Sequence, residues 1–189
     1  MPHRSVQPSA RLSEVRYEIR GELAHRAREL EQRGQSILRL NIGNPAIYGL
    51  GTPPHLREAL AANLHRSEPY IQELGLAEAR AAIAARETWR GARNAAVERV
   101  FIGNGVSELI DLSLRALLNP GDEVLVPAPD YPLWTASVIL NGGVAVHYDC
   151  AAADGFLPDP AEIEAAITPR TRALVLINPN NPTGAVYPR

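Results

Sequence analysis

The sequence predicts an α/β fold in which a mostly parallel sheet carries helices on its faces. Three observations lead to it. Beyond residue 99, strand-length apolar runs alternate with helical stretches, the pattern of successive βα units. The run Ala173 to Ile177 is apolar throughout rather than alternating, as a strand covered on both faces must be. The segments that leave three of these runs are rich in Gly, Pro and Asn, and open α/β sheets place their ligands outside the carboxyl ends of the strands.

From Ser13 to Gly34, the residues Val15, Ile19, Leu23, Ala27 and Leu30 recur every three or four positions, so they line one face of a helix that Gly34 closes. Ile37, Leu38, Leu40 and Ile42 form a short strand-like run, broken by Gly43-Asn44-Pro45 and a Gly-rich loop to Gly51. Thr52 reads as an N-cap with Pro53 at the first helical position, opening a helix to about Leu64. A helix rich in Ala and Arg follows from Leu76 to about Trp89. Arg99 to Ile102 then reads as a strand, Val106 to Leu118 as a helix stopped by Asn119-Pro120-Gly121, and Glu123 to Val126 as a strand. Pro132 to Leu140 is a helix with Asp130 as its N-cap, and Val144 to Tyr148 is a strand. Asp159-Pro160 caps a helix to Ile167, and Ala173 to Ile177 is the last strand.

Composition excludes several classes of function. Its 46% hydrophobic and 21% charged residues place the chain among ordinary globular proteins. Its 19 basic and 21 acidic residues are scattered without a block of like charge, which argues against nucleic acid or an anionic membrane surface as partner. No apolar run approaches the length that spans a bilayer, so a cytoplasmic location is expected. The lone Cys150 has no Cys or His partners at metal-site spacing; no metal is expected, and Cys150 reads as a small buried residue. All 19 basic residues are arginine. A mechanism that needs a side-chain primary amine therefore cannot run on these residues alone.

Three loops carry the chemistry. Gly103-Asn104-Gly105-Val106-Ser107-Glu108 leaves a strand and enters a helix, so the first free N–H groups of that helix, with the Ser107 hydroxyl, can seat a phosphate. A dinucleotide fingerprint fails because its third glycine falls at Glu108, and a triphosphate loop fails for want of lysine; a plain capped turn remains the alternative. In Pro127-Ala128-Pro129-Asp130-Tyr131-Pro132 the prolines fix the backbone and hold Tyr131 at a strand end, where its ring either stacks on a flat ligand or packs over the next helix. Asn178-Pro179-Asn180-Asn181-Pro182-Thr183-Gly184 is a rigid polar turn able to aim a side-chain amide at a ligand.

The run Asn178 to Gly184 resembles the signature of the class I/II aminotransferases, which use pyridoxal phosphate (PLP) in the fold-type I architecture. The other two loops resemble that family's phosphate-binding and ring-stacking segments, in the same order. Asn41 to Pro45 and Tyr70-Ile71-Gln72-Glu73-Leu74-Gly75 extend the likeness over nearly the whole chain. The resemblance implies a three-layer fold, with residues 1–50 opening a small domain and 51–189 forming the first part of the large cofactor-binding domain. It implies that Gly105, Val106 and Ser107 hold the cofactor phosphate, that Tyr131 stacks on its ring, and that Asn181 donates to its phenolic oxygen. Gly43 is similar to the glycine that lies against the substrate carboxylate, beside Asn181. Tyr70 is similar to a tyrosine that reaches the phosphate of the neighbouring subunit in a homodimer.

The family's Schiff-base lysine, the acidic partner of the pyridine nitrogen and the arginine that grips the substrate carboxylate are expected beyond residue 189. The catalytic set is therefore not in this chain, and the sheet is expected to be incomplete. The wording of Asn41 to Ala46, Asp130 to Ala136 and Asn178 to Tyr187 most resembles the alanine aminotransferase branch, which implies alanine and 2-oxoglutarate as substrates. A lyase or synthase of the same fold type, or a non-catalytic chain that keeps a binding role, are the alternatives.

Overall fold

The computed structural model describes residues 7–16, 21–40 and 42–188. Six helices and three strands follow one another there: α1 (Glu22–Gln32), α2 (Pro54–Asn63), α3 (Ala77–Trp89), α4 (Val106–Leu117), β1 (Glu123–Ala128), α5 (Leu133–Leu140), β2 (Val144–Asp149), α6 (Pro160–Ala166) and β3 (Thr171–Leu174). The chain divides into two compact units, one from the described residues of Met1–Arg28 with Gly105–Arg189, the other Glu29–Asn104. Among the described residues no helix is long and apolar enough to cross a membrane.

The first unit is a three-layer βα assembly. β1 lies between β2 and β3 and runs parallel to both. Its side chains alternate faces, as the two-residue strand period requires. Val124 and Val126 pack with Ile110 and Leu114 of α4, Val138 of α5 and Val175, while Leu125 faces the other way against Tyr148 and Cys150, over which Ile163 and Ala166 of α6 close. A strand covered on both faces has no polar side to show, which is why Val-Leu-Val sits at its centre. Cys150 is buried, and burial pushes its thiol above the usual range, which leaves it a packing residue.

The polar anchors of this unit sit at the start of β1. Glu123 is buried; its carboxylate accepts from the Thr168 hydroxyl and from Arg170 Nε at 2.8 Å. These bonds, the threonine first, hold its carboxyl below the usual carboxylate range. Asp122 is lowered too, chiefly by the Asn119 N–H at 2.8 Å, with Arg172 at 3.1 Å adding to it. A carboxyl whose folded pKa lies below its unfolded value adds stability above the unfolded value, about 4.3 for Glu, and loses it as the pH falls through the folded one. The melting temperature is therefore expected to fall below about pH 4, and Glu123→Gln to flatten that acid limb. Thermal unfolding of both proteins from about pH 3 to 7 checks it; equal acid slopes would take Glu123 out of the account.

Several elements differ from the sequence reading. Of the helix expected from Ser13 to Gly34, the described residues give a single 3₁₀ turn, Ala10–Ser13, and α1, which Gly34 ends at φ +82°; Ile19 lies outside the described residues. Ile37, Leu38, Leu40 and Ile42 form no strand. Leu38 and Leu40 are exposed, and Arg39 ties the segment to α1 through Glu31 at 2.7 Å. Asn41, which the family likeness includes, lies outside the described residues. Arg99 to Ile102 is not a strand either: Val97–Arg99 forms a 3₁₀ turn, and the Ile102 N–H bonds to the Leu74 carbonyl. The cap of α2 falls on Pro53, not Thr52, since Pro54 takes the first helical position. Asp130 is not the N-cap of α5; Pro132 is, and the Asp130 carboxylate accepts from Thr135 instead. β3 spans Thr171–Leu174 rather than Ala173 to Ile177 and is not covered on both faces, since Leu174 and Leu176 are exposed; the Val175 N–H still bonds to the Leu125 carbonyl.

Candidate functional site

Because β1 and β3 are parallel neighbours, the loops that follow them leave from the same end of the sheet. The first carries Tyr131 and the second Asn181. The loop that leads into α4 lies in the same unit from Gly105 onward.

Gly105 is the N-cap of α4, with φ +84°, a left-handed conformation that glycine adopts without strain, and no side chain caps the helix. The first N–H groups of a helix have no partner within it and carry the positive end of its dipole. At α4 these belong to the turn that starts at Val106 and Ser107, both exposed. The arrangement suits an anion.

Tyr131 is half-buried, and its carbonyl accepts the Trp134 N–H at 3.0 Å. Its neighbour Asp130 is fixed by the Thr135 hydroxyl at 2.9 Å, and Thr135 Oγ1 stands 3.0 Å from His147 Nε2 on β2. One hydroxyl has one proton. With that proton on the Asp130 bond, His147 donates from Nε2, and the three side chains form a chain that pins the Tyr131 loop to the next strand. Sequence reasoning missed Thr135 and His147, since nothing local marks a helix residue and a strand residue that meet only in the fold.

The third loop separates its three asparagines by role. Asn178 bonds at both ends of its amide to the backbone of Tyr187, accepting its N–H at 3.0 Å and donating to its carbonyl at 3.3 Å. Asn180 is buried; its oxygen accepts from the Thr183 N–H and hydroxyl at 3.2 and 3.0 Å, and its Nδ2 donates to the Tyr187 phenol at 3.2 Å. Asn181 is exposed, and its amide makes no hydrogen bond among the described residues. Two asparagines thus build the turn, and the third takes no part in it among the described residues.

Gly43 and Tyr70 belong to the other unit. Gly43 is exposed, and a Cβ there would meet nothing within 4 Å. Tyr70 is fully exposed at a cleft of about 550 Å³ lined also by Ile71, Gln72, Leu76 and Ile102. Gly75 closes that cleft with φ +97°, and a Cβ on it would come within 2.8 Å of Ile102 Cβ, so only glycine fits. Arg80 is buried behind the segment, donating to the Gln72 side chain and the Val97 carbonyl, with its Nε–H unpartnered among the described residues. No cluster of three or more metal-ligating side chains occurs among the described residues.

Residues 35–189 match the family model for aminotransferase class I and II. The chain belongs to this family. It is 51% identical over 182 residues to the glutamate-pyruvate aminotransferase AlaA of Escherichia coli, a match that covers 96% of this chain and 45% of that protein. It is 50% identical over 185 residues to the alanine aminotransferase of Mycobacterium tuberculosis, covering 97% and 43%. The crystal structure of an aminotransferase from Escherichia coli superposes with a TM-score of 0.92 at 50% identity, over 98% of this chain and 46% of that one. The α/β class and its small parallel sheet are thus those of the fold-type I aminotransferases. The chain spans about half the length of the curated relatives it matches.

Proposed function

We propose that this chain forms part of an aminotransferase that passes an amino group between L-alanine and 2-oxoglutarate with PLP as cofactor, acting as a homodimer. The observation that carries the reading is the division of labour in residues 178–184, where Asn178 and Asn180 hold the turn and the Asn181 amide is exposed, with no hydrogen bond among the described residues. The names of the relatives, glutamate-pyruvate and alanine aminotransferase, supply the substrate class. In the complete protein, residues 1–50 would open the small domain and 51–189 the large one.

The residues present fit the cofactor. PLP when bound supplies an aldehyde that takes up an amino group and an electron-poor ring that accommodates the resulting charge. The uncapped turn at Gly105, Val106 and Ser107 offers N–H groups and a hydroxyl to its phosphate. Tyr131, on a loop pinned by Asp130, Thr135 and His147, would lie against the ring. Asn181 would donate to the phenolic oxygen and so favour its ionised form. Gly43 would leave room for the substrate carboxylate, and Tyr70 would reach the phosphate of the second subunit.

The complete enzyme, assayed for pyruvate formed from alanine and 2-oxoglutarate, should turn over at a rate well above its rate with aromatic or acidic amino acids. Good activity on those and none on alanine would assign it to another branch of the family.

A further inference from the structure

The turn that carries Asn181 is held by its neighbours Asn178 and Asn180. Pro182 confines the backbone of Asn181 to extended conformations, so the aim of its amide depends on how the positions on either side are anchored. Asn180 anchors them: it is buried, its N–H bonds to the Ala185 carbonyl at 2.8 Å, and its side-chain oxygen holds both the N–H and the hydroxyl of Thr183. The remaining half of the Asn180 amide is held by one group, the phenol of Tyr187. That phenol is half-buried, and the Tyr187 backbone clasps Asn178. Tyr187 therefore joins the two structural asparagines to each other.

We propose that Tyr187 is a positioning residue for the cofactor contact of Asn181, its hydroxyl fixing Asn180 so that the neighbouring amide keeps its aim. The proposal rests on the reading that Asn181 meets the phenolic oxygen of PLP. Removing the hydroxyl leaves the Asn180 NH₂ buried without an acceptor, and the turn must shift or admit water to relieve it.

The test is made on the complete enzyme loaded with PLP, comparing Tyr187→Phe, Asn181→Ala and the double variant. The measurements are the pH midpoint of the bound cofactor's visible absorbance, turnover, and thermal unfolding of the cofactor-free proteins. Tyr187→Phe should move the absorbance midpoint in the direction of Asn181→Ala but less far, and lower turnover about two- to tenfold, as loss of one hydrogen bond does. The double variant should match Asn181→Ala alone, because the two changes act through one contact. If Tyr187→Phe does not fold, Thr183→Val loosens Asn180 from its other side and should shift the midpoint in the same sense. A lowered melting temperature with a wild-type midpoint, or additive shifts in the double variant, would overturn the proposal and leave Asn181 in place. No shift in Asn181→Ala would remove the reading beneath it, and the proposal with it.

Discussion

The 189-residue chain, mixed with PLP and reduced with borohydride, is expected to carry no pyridoxyl group on any side chain and to transaminate no faster than free PLP. The reason is compositional. Every one of its 19 basic residues is arginine, whose delocalised guanidinium stays protonated and does not act as a nucleophilic amine. Covalent capture of the PLP aldehyde and the proton transfers that follow need a primary amine held at the ring. The only one in this sequence is the α-amino group of Met1, remote along the chain from the loops at Gly105, Tyr131 and Asn181. Peptide mass mapping after reduction reads the result directly. A pyridoxyl group on an internal residue, or turnover above the free cofactor, would sink this account. Weak reversible binding agrees with it, because the turn at α4 and the Tyr131 loop lie within the first unit.

How far the sequence discloses the fold varies along the chain for a physical reason. Residues 106–174 were legible in the order and type of their elements: apolar runs bounded by Gly and Pro name the element, though the ends of β3 and the cap of α5 differ, and β1 announces its double burial by lacking a polar face. Ile37 to Ile42 and Arg99 to Ile102 were misread because an apolar run says that a segment seeks cover but not what covers it. Strand character needs a partner edge, and that edge is a property of the whole sheet. The caps at Thr52 and Asp130 were each misplaced beside a proline, where more than one residue can open the helix.

The site was legible in outline and not in mechanism of support. Three asparagines in one turn look equivalent in a sequence; the fold distinguishes them, because Asn178 and Asn180 meet Tyr187 and Asn181 does not. Thr135, His147 and Tyr187 carried no local signal, since each acts on a loop through a contact made only after folding. Residues expected to touch a ligand can be named from a motif, whereas the residues that aim them must be read from the packed structure.

Asn181→Ala in the complete enzyme should therefore separate these roles. An amide donating to an ionised phenolic oxygen is a charge-assisted bond worth about 1.5–3 kcal/mol, so turnover should fall by about tenfold to a hundredfold. The visible absorbance of the bound cofactor should shift, since the phenolate loses a donor. Stability should barely change, because Asn181 is exposed and its amide makes no hydrogen bond among the described residues. Asn180→Ala should show the opposite balance: it strips the Thr183 N–H and hydroxyl and the Tyr187 phenol of a buried partner, so its melting temperature should fall clearly. Turnover, absorbance and thermal unfolding measured on both variants decide the matter. An unchanged rate and spectrum for Asn181→Ala would take Asn181 out of the site, and a melting temperature lowered as far as that of Asn180→Ala would make it one more residue of the turn.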